Sequence, residues 1–154
     1  MIFTSNRGRV KKEVHIKMWI VSSCLLGIPC RFDGQCKLNE KVMKLVRKEI
    51  LFPVCPEQLG GLPTPREPAE QRGGQVFTIS GRDVTENFKK GAEQVLQLAK
   101  LLGIAEAILK QKSPSCGCGK IYDGTFSGTV IKGDGVTTVL LKQNGIKVIS
   151  EEDL

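Results

Sequence analysis

Aromatic side chains and long apolar runs are scarce in this chain of 154 residues. Only six Phe, one Tyr and one Trp are present, and so few rings argue against a surface on which nucleic-acid bases could stack. No apolar run approaches the roughly 18 residues of a membrane-spanning helix, and no secretory signal precedes the first apolar segment. We therefore expect a cytoplasmic protein that binds neither a membrane nor, stably, nucleic acid.

Two further absences restrict the class of ligand. Neither G-x-G-x-x-G nor G-x-x-x-x-G-K-[ST] follows a predicted strand, so the usual phosphate loops are missing. The net charge of +7 would suit an anionic partner, but five basic residues lie within the first 17 positions. We interpret residues 1–17, which include the single His15, as a flexible N-terminal extension, and residues 18–154 as one domain.

The alternation of apolar segments predicts an α/β fold. Strand-like runs occur at 19–23, 51–54, 104–109 and 146–149, and helical patterns at 39–48, 83–102 and 135–142. This order is typical of a single Rossmann-like three-layer domain with a small, mostly parallel sheet of about four strands. We expect short added hairpins near 75–80 and 122–131, and a site-covering loop over 55–74, which holds four prolines and four glycines. Apolar spacing predicts the buried faces of the first and last helices: Val42, Leu45, Val46, and Val136, Val139, Leu140.

Three cysteines stand where a predicted strand has just ended. Cys24 and Cys55 follow the first two strands, and Cys116 lies in the loop after the third. The carboxyl ends of parallel strands meet at one edge of a sheet, so these thiols should converge there. Three thiolates with a vacant fourth position suit a metal or cluster with an open coordination site. The residues alone leave open that these are ordinary buried cysteines, because cysteine is among the most buried residue types.

Five motifs surround these cysteines. They are Cys-Leu-Leu-Gly-x-Pro-Cys-Arg-Phe-Asp-Gly at 24–34, Pro-Val-Cys-Pro-Glu-Gln-x-Gly-Gly-Leu at 53–62, Pro-Arg-x-Pro-x-Glu at 65–70, Lys-Ser-Pro-Ser-Cys-Gly at 112–117 and Tyr-Asp-Gly-Thr-Phe-x-Gly at 122–128. In content and order they resemble the DUF523 family, which includes thiouracil desulfidases. The resemblance runs from about Met18 to the C-terminus.

The resemblance implies a [4Fe-4S] cluster held by Cys24, Cys55 and Cys116. It also implies a non-redox desulfidase, of hydrolase or lyase type, that takes sulfur from a thiolated pyrimidine such as thiouracil or from a similar small thio-compound. The substrate sulfur would bind the open iron and leave as hydrosulfide. Two alternatives remain: a noncatalytic module that binds a metal or an iron–sulfur cluster, and a zinc-dependent hydrolase that uses the same thiols. Nothing in the pattern specifies an oligomeric state.

Glu57, Ser113 and Ser115 are the candidate catalytic residues. A partly buried carboxylate beside a cluster can serve as general acid and base, which favours Glu57. Its alternative role is to cap backbone amides in the loop. The hydroxyls of Ser113 and Ser115 could bind the substrate or the attacking water, although Ser115 could equally be a turn hydroxyl.

The other polar residues near these motifs have structural interpretations. We expect Arg66 to pair with Glu70 rather than orient substrate, and we expect Asp33 and Asp123 to build turns. A fourth thiolate would close the site, so we interpret Cys30 as a structural neighbour of the ligands.

Overall fold

Four parallel strands form the central sheet of the computed structural model, which describes residues 13–154. The strands of the chain, in order, are β1 (Met18–Ser22), β2 (Ile50–Val54), β3 (Ala69–Arg72), β4 (Gln75–Thr78), β5 (Glu106–Leu109), β6 (Lys120–Tyr122), β7 (Val130–Lys132) and β8 (Lys147–Ser150). The helices are α1 (Glu40–Leu45), α2 (Pro56–Leu59), α3 (Thr85–Leu102) and α4 (Val136–Gln143). The central sheet has the order β2-β1-β5-β8, and β3-β4 and β6-β7 form two antiparallel pairs. The predicted α/β class, parallel sheet and added hairpins are confirmed.

The sheet carries apolar side chains on both faces. Ile20 and Val21 are adjacent in β1, so they point to opposite faces. Ile20 belongs to a core with Val95 of α3 and Leu141 of α4, whereas Val21 packs with Val42 of α1. The helices therefore cover both sides of the sheet and make three layers. The predicted extension at 1–17 lies largely outside the described residues, which begin at residue 13.

The first helix is shorter than the sequence indicates. Asn39 caps it as expected, since its side chain accepts a hydrogen bond from the Val42 backbone N–H at 3.1 Å. The helix ends at Leu45, and the chain turns through 46–48 towards β2. The prediction that Val46 is buried is wrong, because in this turn its exposed fraction is 49%.

The buried face of α4 also differs from the prediction. Val139 is 40% exposed, while Thr137 and Thr138 are fully buried. The reason is a polar contact that apolar spacing does not register. The Thr138 hydroxyl donates to the carbonyl of Cys116 at 3.0 Å, and the backbone N–H of Thr137 donates to the carbonyl of Ser115 at 2.8 Å. The buried face of α4 is thus set by these contacts with the cysteine loop together with the apolar packing of Leu141.

The stretch 55–74 is more regular than predicted. It contains α2, which begins with Pro56 in the first turn where its missing N–H costs nothing, and the strand β3. The expectation of a continuous loop was therefore wrong. Both elements are too short for a periodic pattern to reveal them.

Helix α2 lies directly on the backbone of α3. A Cβ atom at Gly60 would stand 2.0 Å from the carbonyl oxygen of Asn87, and one at Gly91 would stand 1.9 Å from that of Pro56. Only glycine permits so close an approach at either position. The contact fixes the segment that carries Cys55 and Glu57 against the longest helix of the protein.

No helix within residues 13–154 has the length and apolar character needed to cross a bilayer.

Candidate functional site

A cavity of about 530 Å³ opens at the carboxyl edge of the central sheet. The segments that follow β1, β2 and β5 contribute Cys24, Cys55 and Cys116 to its wall. These are the three thiols that the strand pattern singles out. Neighbouring parallel strands end at the same edge, so a short sequence after each strand is enough to bring the thiols into one cavity.

A fourth thiol, that of Cys30, also lines this cavity and is 3% exposed. The Cys55 thiol donates to the Cys30 carbonyl oxygen, with 3.7 Å between sulfur and oxygen. A side-chain hydrogen bond with Cys24 raises the pKa of Cys30 to about 11. A side-chain hydrogen bond with Cys30, followed by burial, raises the pKa of Cys55. The three thiols therefore line neighbouring parts of the same cavity.

Cys116 lines the same cavity from the loop after β5. Burial raises the pKa of its thiol to about 12, while hydrogen bonds from the hydroxyls of Ser22 and Ser115 act in the other direction. Ser22 is itself held in place, because its oxygen accepts the backbone N–H of Lys110 at 2.9 Å. The protein thus supplies hydroxyl donors to a thiol that is almost completely removed from water.

Ser113 and Ser115 occupy different environments in the same loop. Ser113 lines the cavity, and its oxygen accepts the backbone N–H groups of Ser115 at 3.1 Å and Cys116 at 3.0 Å. Ser115 is fully buried, and its hydroxyl is 2.8 Å from that of Thr137. Of these two serines, only Ser113 therefore lines the space that a ligand would occupy.

Glu57 lines the cavity from the first turn of α2. Its Oε2 lies 3.2 Å from Nη2 of Arg66, whose side chain is 3% exposed. The expected pairing of Arg66 with Glu70 was wrong. Glu70 instead accepts the backbone N–H groups of Gly124 at 3.0 Å and Phe126 at 3.1 Å, so it fixes the loop after β6.

Gln111 is a buried residue of the site that sequence reasoning missed. Its Oε1 accepts the backbone N–H of Cys118, and its Nε2 donates to the carbonyl of the same residue, both at 2.8 Å. The backbone N–H of Gln111 in turn donates to Glu151 at 2.7 Å. A polar residue two positions after an apolar strand was the available signal, but it does not reveal the partner.

The aspartates of the two aromatic-Asp-Gly segments build turns, as expected. Asp33 accepts the backbone N–H of Gln35 at 3.0 Å, and Asp123 accepts that of Thr125 at 3.0 Å. Cys36 and Cys118 lie outside the cavity wall. His15 is highly exposed and lies near Glu13.

The cysteines form no disulfide bonds, so their thiols could bind a metal or a cluster. All six are free thiols. No three His, Cys, Asp or Glu side chains in the range 13–154 are grouped to hold a metal ion. The thiols from the three strands are therefore not gathered at the spacing of ligands to one ion. An iron–sulfur cluster binds each thiolate through a different iron, so its ligands need not converge on one point.

Comparison with known proteins identifies the family of this chain. The family model described as 2-thiouracil desulfurase matches residues 19–153. The chain belongs to this family. The DUF523 resemblance seen in the motifs is thereby confirmed.

Two relatives of this 2-thiouracil desulfurase family member are about 50% identical to it in sequence. The uncharacterized protein YbbK of Bacillus subtilis (strain 168) is 50% identical over 147 residues, which cover 89% of this chain and 97% of YbbK. A solved structure of the [4Fe-4S]-dependent thiouracil desulfidase TudS (DUF523Vcz) is 49% identical. It superposes with a TM-score of 0.85 and covers 90% of this chain and 93% of its own.

Proposed function

We propose that this protein is a [4Fe-4S]-dependent desulfidase that removes sulfur from a thiolated pyrimidine such as thiouracil, or from a similar small thio-compound. The observation that carries the proposal is the convergence of Cys24, Cys55 and Cys116 on one cavity. Membership of the 2-thiouracil desulfurase family and the likeness to a [4Fe-4S]-dependent desulfidase support it.

The donor set fits such a cluster. Three thiols approach from three separate segments, and the cavity extends beyond them to Glu57 and Ser113. The raised pKa values of Cys55 and Cys116 mean that these thiols hold their protons at neutral pH in the metal-free protein, and metal binding must release them. When bound, the cluster supplies an iron without a protein ligand, which acts as a Lewis acid for soft thiocarbonyl sulfur.

Glu57 is our candidate for the group that accepts the proton of the attacking water. Its carboxylate lies on the cavity wall and is held from behind by Arg66. We assign it as the general base that accepts a proton as the water oxygen bonds to the thiocarbonyl carbon. In the net reaction, oxygen replaces sulfur at that carbon and sulfur leaves as hydrosulfide. No electrons are gained or lost, so the reaction is hydrolytic.

Ser113 and Ser115 receive different assignments. The Ser113 oxygen accepts two backbone amides, which leaves its hydroxyl hydrogen to donate to substrate or water in the cavity. Ser115 lies against Thr137 and beside the Cys116 thiol, so we assign it to the support of that ligand rather than to contact with substrate.

Anaerobic reconstitution with iron and sulfide tests the proposal. Wild-type protein should bind about four irons per chain, absorb near roughly 400 nm and release sulfide from 2- or 4-thiouracil. Cys24→Ser, Cys55→Ser and Cys116→Ser should each lose most of the iron. Cys36→Ser is the matched control, because Cys36 lies outside the cavity wall and should leave the iron unchanged.

Each alternative gives its own result. A stable cluster without sulfide release would favour the noncatalytic module, and bound zinc in place of iron would favour the zinc hydrolase. Glu57→Gln should retain iron and lose at least about 100-fold in kcat, the usual range for a general base. An unchanged kcat in this variant would refute the assignment of Glu57.

A further inference from the structure

The Arg66 side chain connects three segments of the cavity wall. Its Nη2 donates to Glu57 Oε2 at 3.2 Å and to the carbonyl of Cys30 at 2.9 Å. Its Nη1 donates to the carbonyl of Pro63 at 3.2 Å and to the hydroxyl of Thr64 at 3.0 Å. One buried guanidinium therefore joins α2, the loop after β1 and the segment before β3.

We propose that Arg66 is a positioning residue, which fixes the Glu57 carboxylate and the Cys30 carbonyl relative to the thiols of the cavity. This inference rests on the proposed function, since it gives Arg66 a role through the residue assigned as general base. Arg66 need not touch substrate to have this effect.

The backbone around Arg66 holds the guanidinium at its place. The backbone N–H of Arg66 donates to the carbonyl of Phe32 at 2.8 Å, so the segment that carries Arg66 is tied to the loop that carries Cys30. The Thr64 hydroxyl also accepts a hydrogen bond from Gln58 of α2 at 2.8 Å. Hydrogen bonds therefore hold both the backbone of Arg66 and its guanidinium group. The guanidinium in turn fixes the position of the Glu57 carboxylate.

The Cys30 carbonyl gives Arg66 a link to a proposed cluster ligand. This oxygen accepts Nη2 of Arg66 at 2.9 Å and the thiol of Cys55 at 3.7 Å. A displaced guanidinium would release a carbonyl that lies against the Cys55 sulfur. The contact with the Cys55 thiol belongs to the metal-free protein, because a thiolate bound to iron has no proton to donate. In the loaded protein the effect of Arg66 therefore passes through Glu57.

The contacts require arginine rather than a positive charge alone. A guanidinium presents several N–H donors in a fixed plane, so it can bind four acceptors from different segments. A lysine ammonium offers three donors around one nitrogen and cannot span Thr64, Cys30 and Glu57 together. The Nε–H of Arg66 is buried without a hydrogen-bond partner, so the positioning is carried by the two terminal nitrogens.

Arg66→Lys is the first test. We expect kcat to fall by about 10- to 100-fold, as displacement of a catalytic group by about 1 Å does. KM should change by less than about threefold, because the substrate contacts remain. Iron content should equal that of the wild type. Arg82→Lys, at an exposed position beyond β4, is the matched control and should leave both constants unchanged.

A double-mutant cycle shows whether Arg66 acts through Glu57. In the Glu57→Gln background, Arg66→Lys should lower kcat by less than about twofold. A full additional 10-fold loss there, or no loss in the single variant, would overturn the inference. Thr64→Val is a milder substitution that removes one support of the guanidinium. It should give a smaller fall in kcat with the same unchanged KM.

Thermal unfolding of the metal-free protein provides a readout that needs no turnover. Arg66→Lys and Glu57→Gln should each lower Tm, and the double variant should lower it by less than the sum of the two shifts. Additive shifts would overturn the positioning role. Absence of sulfide release from the loaded wild type would refute the proposed function, whereas the non-additive Tm shifts would still support the contact between Arg66 and Glu57.

Discussion

Gly135 lies directly against the backbone of Ser115. A methyl group added at Gly135 would stand 2.3 Å from the carbonyl carbon and oxygen of Ser115. The backbone N–H of Gly135 also donates to the carbonyl of Gly117 at 2.7 Å. The start of α4 is therefore packed directly on the loop that carries Cys116.

Gly135→Ala should separate this loop from α4. Because the clash is with backbone, which cannot rotate away, we expect a loss of at least about 1–3 kcal/mol in the free energy of unfolding. Cluster content after reconstitution should fall as well. Urea denaturation measures the first effect, and iron analysis the second. Val139→Ala, on the exposed face of α4, should change neither; an equal effect in both variants would contradict the role given to Gly135.

Ser113→Ala should destabilise the loop that carries Cys116. The substitution removes the acceptor of two backbone N–H groups, those of Ser115 and Cys116. We expect a loss of about 1–3 kcal/mol in unfolding free energy, the cost of leaving such donors unpaired. Ser113→Thr retains the acceptor and should recover most of the loss. The exposed Ser127→Ala serves as the control in the same denaturation series.

Cys30→Ser should retain the full amount of iron. Cys30 lines the cavity, yet a fourth cysteine ligand would leave no iron for substrate, so we assign it no ligand role. Reconstituted Cys30→Ser should hold about four irons per chain and keep the absorption near roughly 400 nm. Loss of iron as large as in Cys55→Ser would show that Cys30 is a ligand and that the resting site is closed.

The ion pair between Lys142 and Asp134 predicts a pH-dependent contribution to stability. Their side chains are 2.9 Å apart, and the hydrogen bond to Asp134 raises the pKa of Lys142. Because the pKa of Lys142 is higher in the folded state, the ion pair stabilises the folded protein fully at any pH below the unfolded pKa of about 10.4. This stabilisation is lost as the pH rises through the folded pKa.

Wild type and Lys142→Met should accordingly differ by less than about 1 kcal/mol below pH 10, since the lysine is 42% exposed. The difference should shrink above that pH. Urea denaturation between pH 8 and 12 measures it, with the exposed Lys90→Met as control. A difference that grows with pH would contradict the sign of the shift.

The sequence predicts the position of the three thiols well because this position follows from topology. An apolar run followed at once by a cysteine marks a strand end, and parallel strands place their ends at one edge. Cys24 and Cys55 need no knowledge of side-chain contacts to be placed. The parallel sheet follows in the same way from the alternation of strands and helices.

The side-chain contacts among the residues that line the cavity could not be predicted from strand ends and topology. Arg66 is four residues from Glu70 and nine from Glu57, yet it pairs with Glu57. The reason is that the chain after α2 folds back onto this helix, where Gln58 donates a hydrogen bond to Thr64. The exposed Val139 has the same origin, since hydrogen bonds from Thr137 and Thr138 to the cysteine loop set the rotation of α4. The Arg66–Glu57 pair and the exposure of Val139 both depend on tertiary contacts between separate segments. The spacing of residues in the sequence does not predict such contacts.

The two glycines at the crossing of α2 and α3 bear on how the cofactor enters. Because Gly60 and Gly91 let the backbones touch, the segment with Cys55 and Glu57 takes its support from the apolar core rather than from a metal. Small zinc domains are the opposite case, since they unfold when the metal is removed. We therefore expect this polypeptide to fold before iron binds, and removal of the iron to leave it folded.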